Sequence, residues 1–131
     1  MKRGDIYLLD LSANSGHIQS GHRPVIVIQN DIANQKSMTT IVCGISSAPK
    51  HQNIPTHCFI STSGGLPRPS TVLCEQMFTV NKSDLKHYLG TLSNPYILRQ
   101  LDNCIQEAVG LNTHDEYQNY HQNFRTYRRI R

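Results

Sequence analysis

GHIQSGHRPVIVIQND, Gly16 to Asp31, passes from surface loop to buried strand within a few residues. Gly16, Ser20 and Gly21 accept backbone conformations that most residues avoid, and the polar residues among them show no apolar period. Ser12 to His22 therefore reads as a mobile surface loop. Arg23 and Pro24 end it. Val25, Ile26, Val27 and Ile28 follow without a polar break, and such a β-branched run bounded by turn signals predicts a strand, Pro24 to Gln29, covered on both faces. Arg23 thus stands where a loop meets a rigid strand. A rigid element there can hold a charged group while the loop closes over a substrate.

Working outward, GDIYLLDL (Gly4 to Leu11) predicts a first strand, with Ile6 and Leu8 on one face and Tyr7 and Leu9 on the other. Asn30 to Met38 is polar and turn-rich. Thr39 to Ser46 (TTIVCGIS) predicts a third strand with Ile41, Cys43 and Ile45 toward the core and Val42, Gly44 and Ser46 opposite. Gly44 either marks a bulge or close packing, or leaves room beside Ser46 for a ligand backbone. Pro49 to Pro55 is loop, Thr56 to Ser61 a fourth strand, and Gly64 to Ser70, with its glycines and prolines, irregular. Thr71 to Val80 returns to strand, bent near Glu75 and Gln76.

About five short strands separated by frequent turn signals point to a small, strongly curved sheet or barrel. Helical signals come late. Ser83 to Leu89 could form a short helix, and Asn94 followed by Pro95 supplies an N-cap with proline in the first turn. Ile97, Leu98, Leu101, Ile105, Ala108 and Val109 recur at helical spacing before Gly110, predicting a C-terminal helix of roughly 22 Å packed on the sheet. The fold class is therefore α+β, mainly β with a C-terminal α-helix.

The chain has 131 residues, enough for one domain with a real core and no staples. Residues 1–111 form the expected single domain, and 112–131 a basic tail containing tyrosines. The N-terminal apolar run is short and broken by Asp5 and Asp10, unlike a signal peptide or anchor. No stretch approaches the roughly 20 apolar residues that span a bilayer, so a cytoplasmic protein with no membrane partner is expected. Cys43, Cys58, Cys74 and Cys104 form no C-x-x-C pair, which predicts reduced, buried thiols rather than zinc or redox chemistry. The spacings of the histidines match no ligand pattern, so no metal site is expected.

The formal charge is +4, with 13 basic and 9 acidic residues. Arg125, Arg128, Arg129 and Arg131 account for four positives near the C-terminus, so the rest of the chain balances at nine against nine. Charge alone therefore does not establish a nucleic-acid partner.

Several residues carry possible chemistry. The permanent charge and planar donor fork of Arg23 fit phosphate oxygens, or equally an ion pair with an acid of the chain. Ser46, at a strand end, either bonds the backbone or serves a site. His22 and His57 could act as general acid or base. Glu75 and Gln76 interrupt an apolar strand, marking either a solvent-facing surface or a ligand surface. Tyr117, Tyr120 and Tyr127 among the tail arginines could stack on bases, or belong to a solvated terminus.

Taken together, these segments resemble the MazF/PemK toxins of bacterial toxin–antitoxin systems. The resemblance runs through RGDIY, the G-x-R-P-V-x-V-I-Q-N-D run at Gly21 to Asp31, T-x-I-V-x-x-I-S at Thr39 to Ser46, PTH at 55 to 57, and S-x-V-L-x-E-Q at Ser70 to Gln76. It covers about Arg3 to Leu111. It implies an SH3-like β-barrel with a C-terminal helix, a homodimer, a groove for single-stranded RNA, and neutralisation by a cognate antitoxin. The implied activity is sequence-selective, metal-independent RNA cleavage without a cofactor. Carried over by position, the catalytic arginine falls on Arg23 and the catalytic threonine on Ser46, which keeps the hydroxyl. Gln19 and Gln76 fall near the RNA path, and His22 and His57 are further RNA-binding candidates. Ile18 stands where some members carry an acid, which would pass proton transfer to another group such as His17 or His22, or make it unnecessary. Two alternatives remain at the sequence level: a contact toxin of the same architecture acting on DNA gyrase, and an RNA-binding relative without turnover.

Overall fold

The computed structural model describes residues 1–10, 22–48 and 53–112. Six antiparallel strands, β1 (Asp5–Asp10), β2 (His22–Val27), β3 (Thr39–Ser46), β4 (His57–Ser61), β5 (Ser70–Asn81) and β6 (Leu85–Thr91), form one sheet in the order β4-β5-β3-β2-β1-β6. Among the described residues two α-helices accompany them, α1 (Asp31–Lys36) and α2 (Pro95–Ala108).

Alternation sorts the apolar residues of the strands onto two faces. On one face Ile6, Ile26, Cys43, Ile45, Cys58 and Val72 close into a core with Leu101 of α2. Leu9, Val25, Val27, Val42 and Leu85 make a smaller cluster on the other. β2 and the middle of β3 are covered on both sides, as the unbroken apolar run of β2 requires. Ile41, expected in the core, is only half-buried, while Val42 on the opposite face is wholly buried.

β5 bends where its polar residues interrupt it. Cys43 pairs with Met77 and the next residue, Gly44, pairs with Leu73, so Cys74, Glu75 and Gln76 bulge out of the ladder. Such an insertion sharpens the bend of a strand. The sheet's hydrogen-bonded ladder has β4 and β6 as its edges. The turn Ser63–Gly65 beyond β4 nevertheless packs on β6, bringing the edges toward each other as in a barrel. The approach is backbone on backbone: a Cβ on Gly90 would stand 2.6 Å from the Gly64 carbonyl oxygen, and Gly64 and Gly65 both have positive φ, 67° and 81°.

Helix α2 meets its expectation closely. Asn94 accepts from the N–H groups of Tyr96 and Ile97, Pro95 occupies the first turn, and Gly110 beyond the end has φ of 75°. Two other readings are corrected. Ser83 to Leu89 is not helical: a short turn at Lys82–Asp84 leads into β6, whose Leu85 pairs with Leu9. Asn30 to Met38 is not merely turn but contains α1, capped by the Asn30 side chain on the Ala33 N–H.

All four cysteines are free, three buried and Cys104 half-buried. Hydrogen bonding to Cys104, then burial, pushes the Cys58 thiol up. Bonds from Cys58 and Cys74 hold Cys104 below its ordinary range. No helix of the described residues is long and apolar enough to cross a membrane.

Candidate RNA-cleavage site

Residues paired directly in an antiparallel ladder share a face, and residues two apart on a strand do too. Val25 lies in the smaller cluster and pairs with Gly44. By alternation Arg23 and Ser46 are on that same face, and the β2–β3 register continued by two residues sets them opposite one another. Arg23 is paired with Leu9 of β1, so the strand end that carries it belongs to the sheet. Its side chain is exposed, and among the described residues it forms no ion pair. The alternative of an internal ion pair is therefore not realised there.

Ser46, at the end of β3, is half-buried, and its Oγ accepts from the Ala48 N–H at 3.2 Å. This is the backbone-bonding role expected of a serine at a strand end. Because the oxygen accepts, the hydroxyl proton remains available to a ligand. Gln76 reaches the same place from the bulge: its Oε1 would lie 3.2 Å from a Cβ on Gly44. The room beside Ser46 that glycine provides is thus taken by the Gln76 amide.

His57 pairs with Leu73, which pairs with Gly44, so it belongs to this face as well. Its Nε2 lies 2.9 Å from Glu75 Oε2, and Thr56 Oγ1 donates to Glu75 Oε1 at 2.9 Å. Burial pushes the Glu75 carboxyl up, but bonds from His57, its own backbone N–H and Thr56 outweigh this and leave it below its ordinary value. The His57 side chain is only 10% exposed, and its Nδ1 is buried without a hydrogen-bond partner among the described residues.

His22 is placed differently. Alternation turns it to the face opposite Arg23, where its ring packs edge-on against His87 with centroids 5.5 Å apart. Gln19, His17 and Ile18 lie outside the described residues, as does nearly all of the tail. The histidine–glutamate pair was missed at the sequence level, because spacing alone does not reveal cross-strand partners. Two exposed aromatics were missed too. Phe59 (59% exposed) pairs through Thr71 with Ser46, and Phe78 (40% exposed) pairs with Val42. Exposed rings on a polar sheet face can stack on unpaired bases. Among the described residues no three His, Cys, Asp or Glu side chains gather to hold a metal ion.

Comparison with known proteins points the same way. A family model described as the PemK-like, MazF-like toxin of type II toxin–antitoxin systems matches residues 2–109. The chain is 42% identical over 114 residues to "Endoribonuclease MazF" of Staphylococcus saprophyticus, covering 86% of this chain and 94% of that one. It is 40% identical over 118 residues to the protein of the same name from Staphylococcus epidermidis, covering 89% and 98%. Among solved structures, an endoribonuclease in complex with its cognate antitoxin from a mycobacterial species superposes with a TM-score of 0.72 at 23% identity, covering 87% of this chain and 99% of that one. At that identity the likeness concerns the fold.

Proposed function

Because this chain belongs to the PemK-like, MazF-like toxin family of type II toxin–antitoxin systems, we propose that it cleaves single-stranded RNA on the Arg23–Ser46 face without a metal or cofactor. The observation that most supports this is an exposed arginine with no ion-pair partner among the described residues, set in register with a hydroxyl whose proton is uncommitted.

The nucleophile belongs to the substrate. The ribose 2′-hydroxyl gives up its proton as its oxygen attacks the adjacent phosphorus, the bond to the 5′-oxygen breaks, and that oxygen takes up a proton, so the products carry a 2′,3′-cyclic phosphate and a 5′-hydroxyl with no net change in protons. Arg23 neutralises the charge that accumulates on the phosphorane oxygens, and Ser46 donates a hydrogen bond to one of them. A guanidinium holds its proton too firmly to act as a base, so Arg23 contributes charge rather than proton abstraction. Gln76 and His57 line the path of the strand beside the reacting phosphate, and Gln19, outside the described residues, is a further RNA-binding candidate by its place in the family motif.

The reading carries partners with it: messenger RNA as substrate, a cognate antitoxin whose segment occupies the same face, and a second copy of the chain. It places the protein in the cytoplasm, with residues 1–111 as the toxin unit and 112–131 as a basic tail. The test is incubation of the purified protein with labelled single-stranded RNA in excess EDTA. Fragments with cyclic phosphate and 5′-hydroxyl ends support the reading. Fragments with 5′-phosphate ends overturn it, and so does intact RNA, which returns the question to contact with gyrase.

A further inference from the structure

On the other side of the sheet from Arg23 and Ser46 the structure has a cavity of about 330 Å³. Leu8, Pro24, Leu66 and Leu89 wall it, and Ser47 and Arg68 supply polar lining. Pro24 and Ser47 each follow a member of the Arg23–Ser46 pair in the chain, so the cavity and the proposed cleavage face meet at one rim of the sheet. Its volume lies at the small end of the roughly 300–1,000 Å³ typical of ligand sites. That suits one planar ring system.

The far wall is built to stay in place. Gly64 and Gly65 press backbone to backbone on Leu89 and Gly90 of β6. Arg68 then sits between Pro67 and Pro69, whose rings restrict the backbone on either side. Ser70 Oγ donates to the Arg68 carbonyl at 2.8 Å, fixing the segment further. The Arg68 side chain is exposed, and among the described residues it forms no ion pair. An arginine fork is donor-only, so held in this way it selects a ligand edge rich in acceptors.

Resting on the cleavage reading above, we infer that this cavity receives the nucleobase next to the scissile phosphate, with Arg68 as the residue that reads it. Apolar walls suit the faces of a base turned out of a single strand, and Arg68 suits carbonyl acceptors on its edge. Guanine, with O6 and N7 side by side, matches the fork best, and adenine, whose amino group would meet a donor, matches worst. The neighbouring phosphate is then delivered over the rim to Arg23.

The experiment is cleavage of a randomised single-stranded RNA pool by the unaltered protein, Arg68→Ala and Ser47→Trp, with cut sites sequenced and thermal midpoints measured. Arg68→Ala should relax base preference at one position beside the cut by about tenfold, leaving other positions as selective as before. Ser47→Trp, which inserts a ring at the cavity, should weaken cleavage at the same preferred sites without lowering the midpoint. An unchanged preference in Arg68→Ala, or a uniform weakening across all sequences that marks a phosphate contact, overturns this inference while leaving the cleavage reading intact. Failure of the unaltered protein to cut any RNA overturns both.

Discussion

The two faces of β2 and β3 are made by alternate residues of the same strands, yet they are finished in different ways. Ile26, Cys43 and Ile45 look into a core closed by α2, where Leu101 is wholly buried. On the other face Val25, Val27 and Val42 make a small apolar cluster that gives way at the strand ends to Gly44, Ser46 and Arg23. The lesson concerns rigidity. Val25 is only 1% exposed, so the residue two positions before it inherits a fixed backbone without needing a partner of its own. One face holds the strands still, and the other can leave polar groups uncommitted.

That division can be broken from either side. Leu101→Ala empties the closed face and should cost about 2–5 kcal/mol in stability. Denaturant unfolding checks this, and cleavage measured well below the midpoint should persist. Ser46→Ala acts on the open face, removing one neutral hydrogen-bond donor worth about 1 kcal/mol. The rate should fall several-fold with the unfolding midpoint unchanged, and Ser46→Thr should restore it.

The smallest effect concerns Glu75, whose bonds to His57 and Thr56 straddle β4 and β5. Its carboxyl lies below the ordinary value of 4.5. A depressed folded-state pKa means the unfolded chain binds the proton more readily. The stabilisation is thus complete above about 4.5 and disappears as pH falls through the folded value. With the carboxylate 44% exposed, solvent screening keeps it to a fraction of a kcal/mol. Thermal midpoints of the unaltered protein and Glu75→Gln should differ slightly at pH 7 and converge toward pH 3. A gap that widens on acidification would contradict this.

Residue pattern sufficed for elements whose burial follows a period. The alternation of β3 and the Asn94 to Gly110 helix bury apolar residues at regular intervals and form where the pattern puts them, whereas the unbroken β2 run forms a strand at His22–Val27, two residues earlier than the expected Pro24 to Gln29. α1 escaped because its buried residue is polar. Asn34 is held by Thr40 Oγ1 at 2.7 Å and by Gln29 at 3.0 Å, while Lys82 Nζ bonds the Asn34 and Ser37 carbonyls. No apolar period marks such a helix. β6 escaped for another reason: Lys86, His87 and Tyr88 are all exposed, and what makes the segment a strand is pairing with β1, far away in sequence. The site was legible in its residue types and family motifs. Its geometry was not, since only the ladder reveals that Arg23 and Ser46 share a face and that His22 does not.

Arg23→Ala tests most directly whether an arginine held on a rigid strand, with no ion-pair partner among the described residues, supplies the charge stabilisation for RNA cleavage. Cleavage rate on labelled single-stranded RNA in excess EDTA and thermal midpoint would be measured on the same preparations. The account predicts a loss of about a hundredfold or more in rate, the scale of about 3 kcal/mol for one preorganised donor, with the midpoint unmoved. Cleavage at an undiminished rate, or a rate loss that only tracks a falling midpoint, would contradict it.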